Sequence, residues 1–322
     1  MSEVKIYAGI DIGGTNVKYG LVDAQGNILF KEQRPTVADK GPEPLLHLVA
    51  NIGERLLLVA AEEEREVPWL GIGTPGSIDF RSGTVTGYSP NIPGWLGTSI
   101  GDFMRDRLNL PVYVDNDVNV VALAEHRFGA GIGHSSVVCV AIGTGVGGGL
   151  IINNRVWRGG THGAGEIGHM IIDPDGPSCR CGRKGCLEAF CSSAAIITRC
   201  KGKLKGGLTP AFEELLNGDL ESLTIKKLFA AARKRDDLAR EVIVETADYL
   251  ALGLANVLNL LNPDLVIIGG GIADGGAGFV EEVARNLHAR VDGTAVGQTK
   301  VVKATLGNSA GFIGAGILGD ER

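Results

Sequence analysis

The chain has 322 residues, enough for two packed lobes, and its 44% hydrophobic and 21% charged residues are ordinary globular composition, which excludes disorder as its main character. A formal net charge of −6 supplies no basic footprint for a phosphate backbone, so nucleic acid is excluded as the main partner. The start, MSEVKIYAGIDIGG, lacks the basic, apolar and small-residue order of a secretory signal, and a cytoplasmic protein without a membrane partner is expected.

Residues 4–12 and 16–23 read as strands joined by Gly13-Gly14-Thr15, and the turn Asp23-Ala24-Gln25-Gly26-Asn27 leads to a third strand near 28–33, a β-meander. A helix is expected over about 43–65, where Leu45, Leu48, Val49, Ile52, Leu56 and Val59 fall at helical spacing and the Glu62-Glu63-Glu64-Arg65 run marks a solvated end. A strand at 69–74, a loop with Pro90 and Pro93, a helix at 99–108, a strand at 111–114 and a helix at 118–128 follow. Gly129 to Asn154 carries no Lys, Arg, Asp or Glu, yet Gly143, Gly145, Gly147, Gly148 and Gly149 interrupt it, which argues against a membrane span.

Within that stretch, 137–143 and 149–152 form a second hairpin around Gly143-Thr144-Gly145, and a later strand at 265–268 meets Gly269-Gly270-Gly271. The segments starting at Ile12 and Ile142 can be laid over each other with one residue of slack, as expected of a distant duplication of a whole lobe. Residues 201–220 mix turn formers with a short helical stretch and read as a surface insertion. Residues 225–261 read as two packed core helices, and a closing helix at 309–318, rich in small residues, is expected to cross back against the first lobe.

The loop Asp11-Ile12-Gly13-Gly14-Thr15 is either a plain hairpin turn or a phosphate cradle, in which bare backbone points several N–H groups at one anion and Thr15 adds a hydroxyl. Asp11 would then accept from waters around a phosphate-bound Mg²⁺. Gly143, Gly145 and Gly148 fit G-x-G-x-x-G, with Glu166 near the offset of a ribose-binding acid, so a dinucleotide fold is a rival. That fingerprint must lie between a strand and a helix, whereas Gly149 onward continues as a hairpin strand, and no G-x-x-x-x-G-K-[ST] occurs. Two hairpin loops plus Gly269-Gly270-Gly271 fit one nucleotide held between two lobes.

Asp115-Asn116-Asp117 closes one strand and opens the next helix. Asp and Asn there serve as ordinary helix caps. In the functional reading Asp117 is the base that receives the proton of a sugar hydroxyl attacking the γ-phosphate, and Asn116 is a sugar ligand. A helix N-terminus weakens a carboxylate as a base, but the transition state of phosphoryl transfer is loose, so positioning matters more than basicity.

Cys179, Cys181 and Cys186, preceded by His169, place three thiols and an imidazole within eighteen residues, a donor set suited to tetrahedral Zn²⁺. A disulfide fits poorly in a chain read as cytoplasmic, and a redox pair leaves the third thiol unexplained. Cys139 reads as core, and Cys191 and Cys200 have no assignable partner.

The motif Cys179-x-Cys181-Gly-x-x-Gly-Cys186-x-Glu188, with Glu166-Ile-Gly168-His169 upstream and Asp11-Ile-Gly-Gly-Thr15 at the start, resembles the ROK family of bacterial sugar kinases and repressors, and most of all its glucose-phosphorylating branch. The resemblance implies an α/β actin/hexokinase-like ATPase fold of the ribonuclease H-like kind, two βββαβα lobes with a cleft between them. The expected division is 1–117, completed by a helix at 308–322, and 118–307 with the zinc loop. It further implies ATP-dependent phosphorylation of the glucose 6-hydroxyl, with Mg²⁺, and a homodimer or homotetramer. Glu166, His169 and Glu188 would bind sugar hydroxyls, Gly76 and Asn91 would line the other wall, and His169 would offer its second ring nitrogen to structural zinc. Gly13, Gly14, Thr15, Gly143, Thr144, Gly145, Gly269, Gly270 and Gly271 would hold the nucleotide. A kinase for an N-acetylated hexosamine or fructose needs the same loops with a different pocket. A repressor needs a helix-turn-helix ahead of the first phosphate loop; only ten residues precede Asp11, so a kinase is expected.

Overall fold

The computed structural model describes residues 5–321 apart from 88, 90, 91, 277 and 292, so the expectation for Asn91 lies outside the described residues. The chain forms two compact units, one of Met1–Cys139, Gly149–Gly165 and Thr305–Arg322, the other of Val140–Gly148 and Glu166–Ala304.

In the first unit β1 (Ile6–Ile12), β2 (Asn16–Asp23) and β3 (Ile28–Pro35) make the expected meander. They are followed by α1 (Pro42–Glu62), β4 (Leu70–Thr74), a small β5 (Ile78–Asp79) and β6 (Thr84–Val85) pair, α2 (Ile100–Leu108), β7 (Val112–Asn116) and α3 (Asp117–Phe128). The sheet order is β3-β2-β1-β4-β7, antiparallel from β3 to β1 and parallel across β1, β4 and β7. Its register pairs Asp11 with Gly73 and Gly73 with Asp115, so the ends of three parallel strands stand in one row. The helix α1 is long and apolar enough to cross a membrane by length and composition, but it packs on β1, β2 and α2 with Leu45, Val49, Ile52 and Leu56 buried.

The strands β8 (Val137–Ile142), β9 (Val146–Ile152) and β10 (Arg155–Val156) open a second sheet, completed by β11 (Leu265–Gly269) and β12 (Lys300–Lys303) in the order β10-β9-β8-β11-β12. A three-strand meander followed by parallel strands thus occurs twice, which is the expected ribonuclease H-like plan. The two central turns differ by one residue: the Gly13 N–H closes onto the Asn16 carbonyl, and the Gly143 N–H onto that of Gly145. The slack in the sequence overlay is this shorter turn.

The second unit adds α4 (Glu188–Cys191), α5 (Ser193–Leu204), α6 (Pro210–Leu216), α7 (Ile225–Arg233), α8 (Asp237–Leu261) and α9 (Phe279–Val291). The pair α7 and α8 is the packed helix pair expected over 225–261. Residues 201–220 lie largely at the surface and hold a short helix, as expected, but they also carry a packed face. They finish α5 and form α6, capped by the Thr209 hydroxyl, and Leu204, Phe212 and Leu216 are buried. Gly202, Gly206 and Gly207 interrupt the apolar spacing there and hide it.

The last helix, α10 (Ala310–Gly316), lies on β1, β2, β4 and α3 in the first unit. Backbone touches backbone at this crossing: a Cβ on Gly9 would meet the Phe312 carbonyl oxygen at 1.8 Å, one on Gly71 that of Ala315 at 1.7 Å, and one on Gly314 that of Val120 at 1.7 Å. The unit boundary therefore differs from the division at 117 read from the sequence. The helix α3 stays with the first unit because α10 packs on it and its buried Glu125 accepts the N–H groups of Thr305 and Leu306. Gly71→Ala should cost roughly 3 kcal/mol or more of stability, since a backbone carbonyl cannot rotate aside as a side chain would. An unchanged denaturation midpoint would show that α10 can withdraw from the sheet.

Candidate active site

In the first unit, the row of strand ends leads into the Asp115-Asn116-Asp117 junction. Asn116 is the N-cap of α3: its Oδ1 accepts the N–H groups of Val118 at 2.8 Å and Asn119 at 3.2 Å, and its Nδ2 donates to the Gly76 carbonyl at 3.1 Å. The predicted Gly76 and Asn116 are thus brought together, with Gly76 at a φ of 99°. Asp117 is the first residue of α3, and its Oδ1 accepts the Val118 N–H at 3.0 Å.

Asp115 plays a different part. Its side chain is only 2% exposed, its Oδ1 accepts from the Asn116 N–H and Asn119 Nδ2, and its Oδ2 lies 2.7 Å from both Nε and Nη2 of Arg158. The guanidinium of Arg158 in turn stacks over the Phe80 ring, 3.8 Å from its centroid. The guanidinium satisfies a carboxylate taken out of water, so the pair locks the junction while Asn116 and Asp117 remain half-buried.

Asp11 ends β1 just before the glycine turn, and its carboxylate lies where a Cβ on Gly311 would stand. Burial, reinforced by the charge of Asp117 and opposed by Lys18, pushes its pKa up to about 7. In the unfolded chain the group titrates near 3.8, so between these values the native state holds a proton that the unfolded chain has released. That contribution to stability is full at low pH and is lost as pH rises through about 7. Asp11→Asn should accordingly gain stability relative to the parent protein between pH 5 and pH 8, measured by urea unfolding; a pH-independent difference would contradict the assignment.

In the second unit, the Gly143-Thr144-Gly145 turn is held from below. Its Gly143 carbonyl accepts the Ser193 N–H and hydroxyl at the start of α5, and Glu188 Oε2 accepts the Val146 N–H at 3.0 Å. A Cβ on Gly145 would stand 2.5 Å from that Oε2. The third glycine cluster joins this turn: Gly270, at a φ of 90°, lies so close that a Cβ would meet the Ile142 carbonyl oxygen at 2.4 Å, and the Ile272 N–H donates to that oxygen. Gly143, Thr144, Gly145, Gly269, Gly270, Gly271 and Glu188 therefore form one neighbourhood.

The ligand atoms of His169, Cys179, Cys181 and Cys186 all lie within 4.8 Å of one another. Cys181 and Cys186 sulfurs are 3.6 Å apart, and His169 Nδ1 is 3.8 Å from the Cys179 sulfur. Zn–S bonds of about 2.3 Å in a tetrahedron separate two sulfurs by about 3.8 Å, so these residues fit zinc. The hydrogen bond from Arg183 holds the Cys181 thiol down at about 6, while burial raises that of Cys179 and pushes Cys186 up to about 12. Gly168 and Gly185 make the compact loop possible, because a Cβ would meet the Val146 carbonyl at 2.0 Å or the Asp173 carbonyl at 1.5 Å. His169 turns Nδ1 to the thiols and Nε2 toward Glu166, 3.9 Å from its Oε2.

Arg158, Glu125, Ser193 and Arg180 were not singled out from the sequence. Arg158 meets its partner 43 residues away, and no local pattern announces it. Cys139 is buried as expected, and Cys191, also buried, points its sulfur at the Thr246 carbonyl.

The ROK family pattern matches residues 7–322, and the chain belongs to that family. The glucokinase of Thermotoga maritima is 37% identical over 98% of this chain and 97% of its own length. The ROK glucokinase of Streptomyces griseus, solved with glucose and AMPPNP, has a TM-score of 0.83 against this chain at 34% identity, covering 98% of each. A xylose repressor from Caldicellulosiruptor bescii is 33% identical over 88% of this chain and 70% of its own length. The family and its actin/hexokinase-like fold are those expected from the motifs.

Proposed function

We propose that this chain is a hexose kinase that transfers the γ-phosphoryl group of ATP to the 6-hydroxyl of glucose. The observation that carries the reading is Asp117 at the end of the parallel strand row, beside Asn116, in a chain similar along its whole length to glucokinases. In the reaction the sugar oxygen bonds to the γ-phosphorus, the bond from that phosphorus to its bridging oxygen breaks, ADP leaves with the electron pair, and the hydroxyl proton passes to Asp117.

Each unit contributes its own groups to this reading. From the first come the Gly13-Gly14-Thr15 turn for phosphate, Asp11 for the water shell of the nucleotide's Mg²⁺, and Gly76, Asn116 and Asp117 for the sugar. From the second come Gly143–Gly145 and Gly269–Gly271 for the nucleotide, and Glu166, His169 Nε2 and Glu188 for sugar hydroxyls. Two of these are already partly engaged, since Asn116 spends its oxygen on α3 and Glu188 one oxygen on Val146. Zinc at His169, Cys179, Cys181 and Cys186 would be structural, holding the loop that aims His169. Thiolate ligands and ATP both suit a cytoplasmic enzyme.

The test is an ADP-release assay with a panel of sugars. Glucose should be preferred, and Asp117→Asn should lower kcat on the order of 10²- to 10⁴-fold while glucose affinity holds. A strong preference for N-acetylmannosamine, N-acetylglucosamine or fructose would replace the substrate, and wild-type turnover in Asp117→Asn would remove the base. Cys181→Ser should lose the metal, read by elemental analysis, and raise the glucose KM roughly 10-fold with a smaller effect on kcat. Full zinc content in that variant would show that the cluster is not a four-ligand site.

A further inference from the structure

The two glycine turns carry no basic side chain. Gly13-Gly14-Thr15 and Gly143-Thr144-Gly145 offer amides and hydroxyls alone, and no Lys or Arg occurs anywhere from Gly129 to Asn154. A nucleoside triphosphate concentrates negative charge that fixed cations or metal ions must balance as the γ-group departs. Among the described residues the cation Arg180 reaches the second turn, and it comes from the loop of the candidate metal site.

Arg180 stands between Cys179 and Cys181. Its Nη2 donates to the Thr144 carbonyl at 3.1 Å and lies 3.7 Å from Glu188 Oε1, while half of its side chain, 50%, is exposed. Nη2 makes both contacts, and a guanidinium carries further N–H donors on Nε and Nη1. The backbone beneath it is rigid: the Cys179 N–H is held by the Arg183 carbonyl at 2.7 Å, and Ser178 bridges to Lys184. A neutral carbonyl is a weak acceptor for a guanidinium compared with a phosphate oxygen, so the Thr144 contact is one that an arriving anion can take over.

From this we infer that Arg180 is a further nucleotide-binding residue, which holds the outer phosphates of a nucleoside triphosphate at the Gly143–Gly145 turn and balances their charge during transfer. The inference rests on the kinase reading. Arg180 forms no bond and loses no proton in the step; it supplies a fixed positive charge beside the bridging oxygen as that oxygen takes the electron pair.

Calorimetric titration with Mg·AMPPNP and, separately, with AMP tests this without any sugar. Arg180→Ala should bind AMPPNP on the order of 10- to 100-fold more weakly, with AMP affinity unchanged within about twofold and zinc content intact. Arg180→Lys, which keeps the charge but not the fork, should fall between. Equal losses for AMP and AMPPNP, an AMPPNP affinity equal to that of the parent protein, or a change confined to glucose binding would overturn the role. Loss of zinc in both variants would overturn it too, because Arg180 would then be serving the metal loop. If the parent protein binds AMPPNP but phosphorylates no hexose, the substrate reading fails and Arg180 is still tested; if the parent protein binds no AMPPNP, the nucleotide reading itself fails.

Discussion

The constraint on which this structure depends is contact between backbone and backbone with no Cβ in between. It seats α10 on the first sheet at Gly9, Gly71 and Gly314, brings Gly270 onto the end of β8, and closes the metal loop at Gly168 and Gly185. At Gly145 the same constraint admits a carboxylate oxygen of Glu188. Where the facing atom is a backbone carbonyl, as at Gly9, Gly71, Gly314, Gly270, Gly168 and Gly185, the contact is intolerant of even a methyl group. Part of the glycine excess is therefore a demand of close backbone packing.

Much of this plan was legible in the residues. The meander, the two glycine turns and the strand-to-helix junction at 115–117 announce themselves by alternating apolar residues and local turn chemistry, which act over a few positions. The candidate metal donors are equally local in sequence, apart from His169, which lies ten residues before Cys179 and completes the cluster in space. What escaped the reading depends on distance. Arg158 has no meaning until Asp115 lies beside it, and Gly206 and Gly207 separate the buried Leu204 of α5 from the buried Phe212 and Leu216 of α6, which disguises their packed face.

The helix-cap and functional readings of Asp115-Asn116-Asp117 turn out to be compatible. Asn116 caps α3 and Asp115 anchors the junction through Arg158, and this fixed frame is what leaves Asp117 at a defined position on the first turn. Similarly, Glu188 braces the second glycine turn with one oxygen while its other oxygen stands by Arg180. In the proposed reading, structural and chemical duties would share side chains here, because a buried polar group must be satisfied before its remaining valences can be used.

The cap at Asn116 also fixes a polarity. Because its oxygen already faces two amide hydrogens, the side chain cannot flip, and its nitrogen end alone is left to meet anything beyond Gly76. An alcohol approaching that nitrogen can only lend a lone pair to it. Its own hydrogen is then directed away from the amide, toward whichever acceptor stands next in line, so a bond made to steady a helix sets the direction in which a proton can travel.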